Sequence, residues 1–523
     1  MSSTPVSAPP EGPPEPSSPP PDPDPSMSPF SDAAALYGPL LLALYFVTTS
    51  RWGSYVLPGP PYIGDLFLTA LIVQRLWLLA RGTLPAPLLS RAIALPAGLL
   101  LLYAAVVLAL GEHSTVALRD GAPYFYAVLV FFGQSYRRAS ASTVERLVLG
   151  ALLLHSTWYT ISVLFPSFTG PTTLGDGSVT IFGLRSDIDG VFNGVLVAVA
   201  LDRVALGRLP LVNVALAAWA LSLILLNNSR SSFLALLLML LLVALRFVIL
   251  WRSDATPPDQ TPGGWTLPER WMNPALAVLV VIAVPIVLTL GDHTPAALER
   301  SINVAENRVD PGSNPLVPGD AEGGGAPDDE ETGPDGGPPP IERVPGTIDT
   351  GVGTVQARSK AWRAVIDWIP DGGVSRVALG VGFGPQYMHL SGADVAFQGD
   401  YFDPTVRAVH NFELNTWARL GLVGVILFTS ILLVGLVAAV RLLARSYEPP
   451  ILDLLAGLLV VGIPVTALLG VVLESPFGAI PCFWAVGYLG ARMVEEGLWR
   501  PVGLPAAIEA RTKPSPPPTA AGT

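Results

Sequence analysis

The sequence predicts an all-α integral membrane protein of about twelve transmembrane helices, with a large helical extracytoplasmic loop between the ninth and the tenth. Three observations predict it. Half of the 523 residues are hydrophobic and only 14% are charged, with mean hydropathy +0.51, a balance outside the soluble globular range. Apolar runs of roughly 20 residues, the length that crosses about 30 Å of hydrocarbon, recur along the chain. Arginines concentrate in alternate breaks between those runs, as expected when one set of loops faces the cytoplasm.

Taken in order, residues 1–30 hold twelve prolines and neither Lys nor Arg. They lack the basic segment of a signal peptide and are expected to form a disordered cytoplasmic tail. Residues 31–291 carry the first nine helices, near 33–50, 62–80, 92–110, 122–136, 146–165, 188–202, 210–227, 232–251 and 274–291. Residues 292–411 form the loop domain and 412–497 the last three helices, near 412–440, 451–473 and 477–495. Residues 498–523 are a second disordered tail. One set of loops carries Arg81 and Arg91, Arg137, Arg138 and Arg146, Arg203 and Arg208, Arg246, Arg252 and Arg270, Arg441 and Arg445, and Arg492 and Arg500. The opposite set of short loops carries Arg51, Arg119, Arg185 and Arg230. The positive-inside rule makes the first set cytoplasmic, with both termini inside and the 292–411 loop outside.

The net charge of −11 does not imply a basic partner, because much of the acid sits in "PGDAEGGGAPDDEETGPDGGPPP" (318–340). This stretch, within an acidic low-complexity insert at 310–345, is expected to be solvated and disordered. No basic patch suggests nucleic acid. The single cysteine, Cys482, excludes a disulfide framework or a Cys-based metal site within one chain. Chemistry in the outer loop would meet neither ATP nor nucleotide sugars, so a donor used there must arrive already activated, as one carried on a lipid does.

Four stretches carry polar groups at the outer boundary. In "AVHNFELNTWARLGLVGV" (408–425) Asn411 is suited to cap a helix, and His410, Leu414, Trp417, Gly421, Gly424 and Phe428 recur at helical spacing. Small residues such as Gly421 and Gly424 allow a neighbouring backbone to approach. A helix N-terminus disfavours imidazolium, and a neutral imidazole suits a general base. His410 fits that role, and it equally fits an interfacial histidine that caps the helix or holds the loop. In "VQARSKAWRAVIDWI" (355–369) Arg358, Trp362, Val365 and Ile369 share one face, with Lys360 and Arg363 outside it. Arg358 there needs an anion, either a phosphate or a loop carboxylate such as Asp367 or Asp371.

In "NNSRSSFLALLLMLL" (227–241) Arg230 stands at the outer start of a helix among Asn and Ser residues. It suits either a headgroup anchor or an anion site. In "FGLRSDIDGVFNG" (182–194) Arg185 precedes Asp187 and Asp189, an Asp-x-Asp pair of the kind that binds Mg²⁺ and also arises by chance. The Gly-rich "LGVGFGPQY" (379–387) lacks the Lys of a nucleotide loop and reads as a turn in the outer domain. His113, His155, His293 and His389 have no comparable setting.

Together these fragments resemble the O-antigen ligase and polymerase superfamily of bacterial membrane glycosyltransferases. The resemblance rests on "HNFELNTWARLGLVG", with Leu four after the His and Gly at eleven and fourteen, on "NNSRSSFLALLL", and on "ARSKAWRAVIDWI" followed by "LGVGFGPQY". It covers roughly residues 180–430; Arg419 stands where an acidic residue is common, and "DGVFNGV" lacks a Pro-Asn often present. The resemblance implies a plasma-membrane enzyme that moves a glycan from undecaprenyl diphosphate to an acceptor hydroxyl on a glycan, lipid or wall polymer. Transfer would proceed with inversion and with neither metal nor other cofactor. His410 would accept the proton, and Arg358, Arg230 and Arg185 would hold the diphosphate, supported by Asn411, Trp362, Gly421 and Gly424. The contrasting expectation is a polytopic transporter or flippase for a small solute or lipid-linked glycan, against which stand the missing internal repeats and the outer placement of the polar groups. A non-catalytic scaffold of envelope assembly is the third.

Overall fold

The computed structural model describes residues 90–131, 141–164, 186–227, 230–252, 352–394, 407–446, 448–470, 472–500 and 502, together with Thr69, Ile72, Val73 and Trp77. The first tail, residues 501 and 503–523 of the second, the acidic insert and the helices expected at 33–50 and 274–291 lie outside these residues, whereas Leu498 and Trp499, expected in the disordered second tail, pack against the core. Of the helix expected at 62–80, only the four named positions are described, all helical.

Among the described residues the fold is all-helical, without strands. The helices are α1 (Arg91–Leu110), α2 (Thr115–Phe125), α3 (Ala141–Leu164), α4 (Ser186–Ala205), α5 (Pro210–Asn227), α6 (Arg230–Arg252), α7 (Val352–Asp371), α8 (Gly373–Leu379), α9 (Tyr387–Leu390), α10 (Phe412–Leu443), α11 (Ile451–Ala467) and α12 (Pro476–Glu495). Among the described residues three stretches are long and apolar enough to cross a membrane: Arg91–Leu110, Ser231–Ile249 and Phe412–Leu443. Pro210–Leu225 and Ile451–Ala467 are shorter apolar helices. Leu95, Leu102, Leu211, Ile426 and Leu433 point outward from the bundle. Apolar side chains on both faces of a helix are what a bilayer solvent selects.

Side-chain caps place the starts of several helices. Ser90 accepts from the Ala92 N–H at 3.2 Å and Ser114 from the Ala117 N–H at 3.1 Å, each satisfying a donor the helix leaves free. The Ser114 cap starts α2 seven residues earlier than the hydropathy at 122–136 suggests, and the chain continues as a 3₁₀ turn over Tyr126–Phe131. Helix α11 lies centrally, packed against α4, α6, α10 and α12. It ends at Ala467 rather than 473, before Gly470, and a 3₁₀ turn at Val472–Glu474 leads into α12.

The largest departure concerns α10. Hydropathy reads 412–440 as one uninterrupted helix, but Gly421 sits inside it at φ 64°, ψ −170° and breaks it. Continuous, 32 residues would span about 48 Å, well beyond the hydrocarbon core. The 22 residues after the break span about 33 Å, which matches it. The broken turn frees carbonyls that the Gly-rich segment 379–382 takes up. Val381 N–H donates to Ala418 O and Gly382 N–H to Arg419 O, each at 2.9 Å, while the Tyr103 hydroxyl donates to Leu420 O at 3.0 Å. The two backbones meet so closely that a Cβ at Gly421 would lie 2.2 Å from Ala378 O, and one at Gly380 2.4 Å from Arg419 C. Glycine is required at both points.

Among the described residues two apolar clusters result. The larger fills the bundle; the smaller joins Ala361, Val365 and Ile369 of α7 to Tyr387, Met388, Ala393, Val409, Leu414 and Ala418 at the end of the bundle where α10 begins. The stripe expected to run from His410 through Phe428 is therefore split. Leu414 and Trp417 pack in the outer cluster and Phe428 in the bundle.

Candidate functional site

The outer cluster presents the segment 407–411, which ends at the first turn of α10. Asn411 caps that helix, its Oδ1 accepting the Leu414 N–H at 2.9 Å. His410 precedes the helix in the left-handed region at φ 55° and is half-buried. It thus stands off the helical face that its spacing to Leu414 suggested, because φ > 0 turns the chain at the cap. A non-glycine residue there is strained, and such strain persists only where surrounding contacts impose it.

Those contacts come from three elements. The Trp362 indole N–H of α7 donates to Val409 O at 2.7 Å. The Val409 N–H donates to the Tyr387 hydroxyl at 3.2 Å, and that hydroxyl donates to Asn415 Oδ1 at 2.9 Å. The Arg419 guanidinium donates to Arg407 O at 3.2 Å and lies 5.0 Å above the Tyr387 ring. Burial pushes the Tyr387 phenol above the ordinary tyrosine range, with Arg419 opposing, so the hydroxyl keeps its proton.

Beneath this segment lies a carboxylate with two guanidinium partners. Asp120 of α2 receives Arg407 Nε at 3.1 Å and Arg407 Nη2 at 2.7 Å on its two oxygens, and Arg419 Nη1 at 2.7 Å. The Gly384 N–H adds a further bond at 3.2 Å. Arg407 also donates to Gly384 O and to Gln386 Oε1, each at 2.5 Å. Two guanidinium groups share this one carboxylate where Asp120 and Arg419 are almost wholly buried, and the Glu474 carboxylate also acts on the neighbouring Tyr387 phenol.

Helix α7 carries the expected arginine. Val365 and Ile369 are buried, Trp362 and Arg358 half-buried, and Lys360 and Arg363 exposed, as the amphipathic spacing requires. Arg358 Nη1 donates to Leu469 O at 2.9 Å, just past the end of α11, where helix carbonyls lack internal partners. This is a backbone oxygen rather than Asp367 or Asp371. Arg358 precedes Trp362 by one turn, so the Trp362–Val409 bond brings its helix to the residue beside His410.

Arg230 is the first residue of α6 and its side chain lies outside the described residues, as does Arg185 altogether. Asp189 is buried inside the bundle, its Oδ1 3.5 Å from His155 Nε2. Gly421 breaks α10, and the space beside Gly424 is limited by the Leu420 side chain of its own helix rather than by a neighbouring backbone.

Asp120, Arg407 and Tyr387 were missed in the sequence. Two arginines bordering an apolar helix were the available signal, since such charges require a partner.

Comparison with known families matches residues 215–429 to the O-antigen ligase family, in keeping with an O-antigen ligase-like superfamily. The matched region holds α6, α7, the Gly-rich turn, His410 and the break at Gly421; Asp120 lies outside it. No curated protein matches the chain.

Proposed function

We propose that the protein, whose residues 215–429 match the O-antigen ligase family, is a membrane glycosyltransferase of cell-surface polysaccharide synthesis that moves a glycan from undecaprenyl diphosphate to an acceptor hydroxyl on the extracytoplasmic face. The acceptor is a glycan, lipid or wall polymer. Its oxygen attacks the anomeric carbon opposite the diphosphate, the bond from that carbon to the phosphate oxygen breaks, and the configuration inverts. His410 takes the hydroxyl proton and later passes it to water. Arg358, with Arg230 and Arg185, binds the diphosphate and stabilises the charge that grows on it as it leaves, so that no metal is used. Asn411 keeps the first turn of α10 ordered beside the base.

The observation that carries this reading is the hydrogen bond from Trp362 to Val409, which ties the helix of Arg358 to the neighbour of His410. This joining of the two segments supports a base and a cation that serve one substrate, as displacement of the diphosphate requires.

The test is glycan transfer in cells lacking the native protein, complemented with wild type, His410→Ala, Arg358→Ala or Arg230→Ala at matched membrane levels. Each variant is expected to lose transfer while undecaprenyl-diphosphate glycan accumulates on the outer leaflet. Normal transfer by His410→Ala would overturn the assignment of the base.

A further inference from the structure

We propose that Tyr387 is a positioning residue that sets the His410 imidazole through the Val409 peptide groups. The inference rests on the reading of His410 as the base. Tyr387 comes from the Gly-rich segment, and its ring is fully buried among Ala361, Val365 and Val409. A phenylalanine would fill the same volume, so packing alone does not call for the hydroxyl.

What the hydroxyl does is bridge the two sides of His410. It accepts the Val409 N–H ahead of the histidine and donates to Asn415 in the first turn of the helix after it. Asn415 Oδ1 also accepts Arg419 Nε at 3.2 Å, so the bridge is anchored to the Asp120 cluster. On the other face of Val409, its carbonyl accepts from Trp362. The peptide groups on both sides of Val409 are thereby fixed, and the Asn411 cap fixes the chain beyond. His410 lies between two anchored points, and this arrangement holds it at φ 55°. Its Cα–Cβ direction follows from the backbone, so loss of either anchor lets the residue relax to negative φ and swings the ring away from the acceptor. Displacements of that size separate reacting groups beyond hydrogen-bond reach.

The test uses purified full-length protein, with undecaprenyl-diphosphate glycan extracted from cells lacking the protein as donor and envelopes of those cells as acceptor. Tyr387→Phe removes the hydroxyl and keeps the ring. The expected result is a kcat lower by about tenfold or more, the scale of one buried hydrogen bond, with the donor KM unchanged. Trp362→Phe, which removes the donor on the opposite face of Val409, is expected to show the same split between kcat and KM. Thermal unfolding of each variant is followed in parallel, and kcat is expressed per folded molecule. A wild-type kcat per folded molecule in both variants, alongside an inactive His410→Ala, overturns the positioning role and leaves the base assignment standing. Full activity of His410→Ala overturns both.

Discussion

The two ends of the helical bundle use arginine–carboxylate contacts differently. At the end opposite His410, side chains fasten helix to helix: Arg246 of α6 to Asp202 of α4, and Arg492 of α12 to Asp453 of α11 at 3.1 Å, with the Tyr488 hydroxyl on the same carboxylate at 2.7 Å. Arg203 and Arg208 each reach Glu448 at 2.8 Å across the turn between α10 and α11. Arg246 adds one backbone carbonyl there, Ser446 O at 3.3 Å, whereas at the other end Arg407 and Arg419, which also meet a carboxylate, donate to three, those of 384, 385 and 407. One end joins elements that hydropathy already defines. The other shapes a loop with no regular structure of its own, and it is this loop that presents His410. Buried ion pairs contribute little net stability, so their value lies in which geometry they select.

The largest expected effect lies at the outer end. His410→Ala should lower transfer by on the order of 10²–10⁴-fold, the range for loss of a general base, without changing the unfolding temperature. In vitro transfer and calorimetry on the same preparation check this, and a fall in both would erase the contrast between the ends. Next, Arg246→Ala should destabilise the bundle by about 3–5 kcal/mol by leaving Asp202 buried without its cation. Activity per folded molecule should persist. The double replacement Asp202→Leu with Arg246→Met should recover most of the lost stability, as measured by denaturant unfolding.

Asp120→Asn is smaller in stability, about 1–3 kcal/mol, because the amide keeps some hydrogen bonds while the guanidinium groups lose their counter-charge. Unlike Arg246→Ala, it should reduce transfer per folded molecule. Hydrogen exchange should show faster opening over 379–394 and 407–411 than elsewhere among the described residues. The smallest effect is that of Arg208→Ala, under about 1 kcal/mol for a largely exposed pair, and salt should reduce it further. The hydrogen bond from Arg208 holds the Glu448 carboxyl below the usual range. This contribution is present above the ordinary glutamate pKa and is lost as pH falls through the lowered value, so a pH titration of unfolding should remove the difference between Arg208→Ala and wild type only at acid pH.

Much of the fold was legible because membrane helices are specified locally. The apolar run at 91–110 and the start of α5 at Pro210 follow from hydropathy and breaking residues, and Asn411 announces its cap by type and position. The alignment of Arg358 with Trp362, Val365 and Ile369 was equally readable, since helical periodicity is a property of neighbours. The break at Gly421 was not. Hydropathy is blind to φ, and nothing in "LGLVGV" distinguishes a glycine that eases packing from one that ends a turn.

The sequence by itself determined that this chain is helical, apolar enough for a membrane, and provided near the ends of its apolar runs with a histidine, a cap and several arginines. The tertiary structure alone decided what holds them. Asp120 meets Arg419 across 299 positions of sequence, Trp362 meets Val409 across 47, and Val381 pairs with Ala418 once α10 has opened. Such bonds form only when distant segments have packed, and each one answers a polar group that burial would otherwise leave unsatisfied.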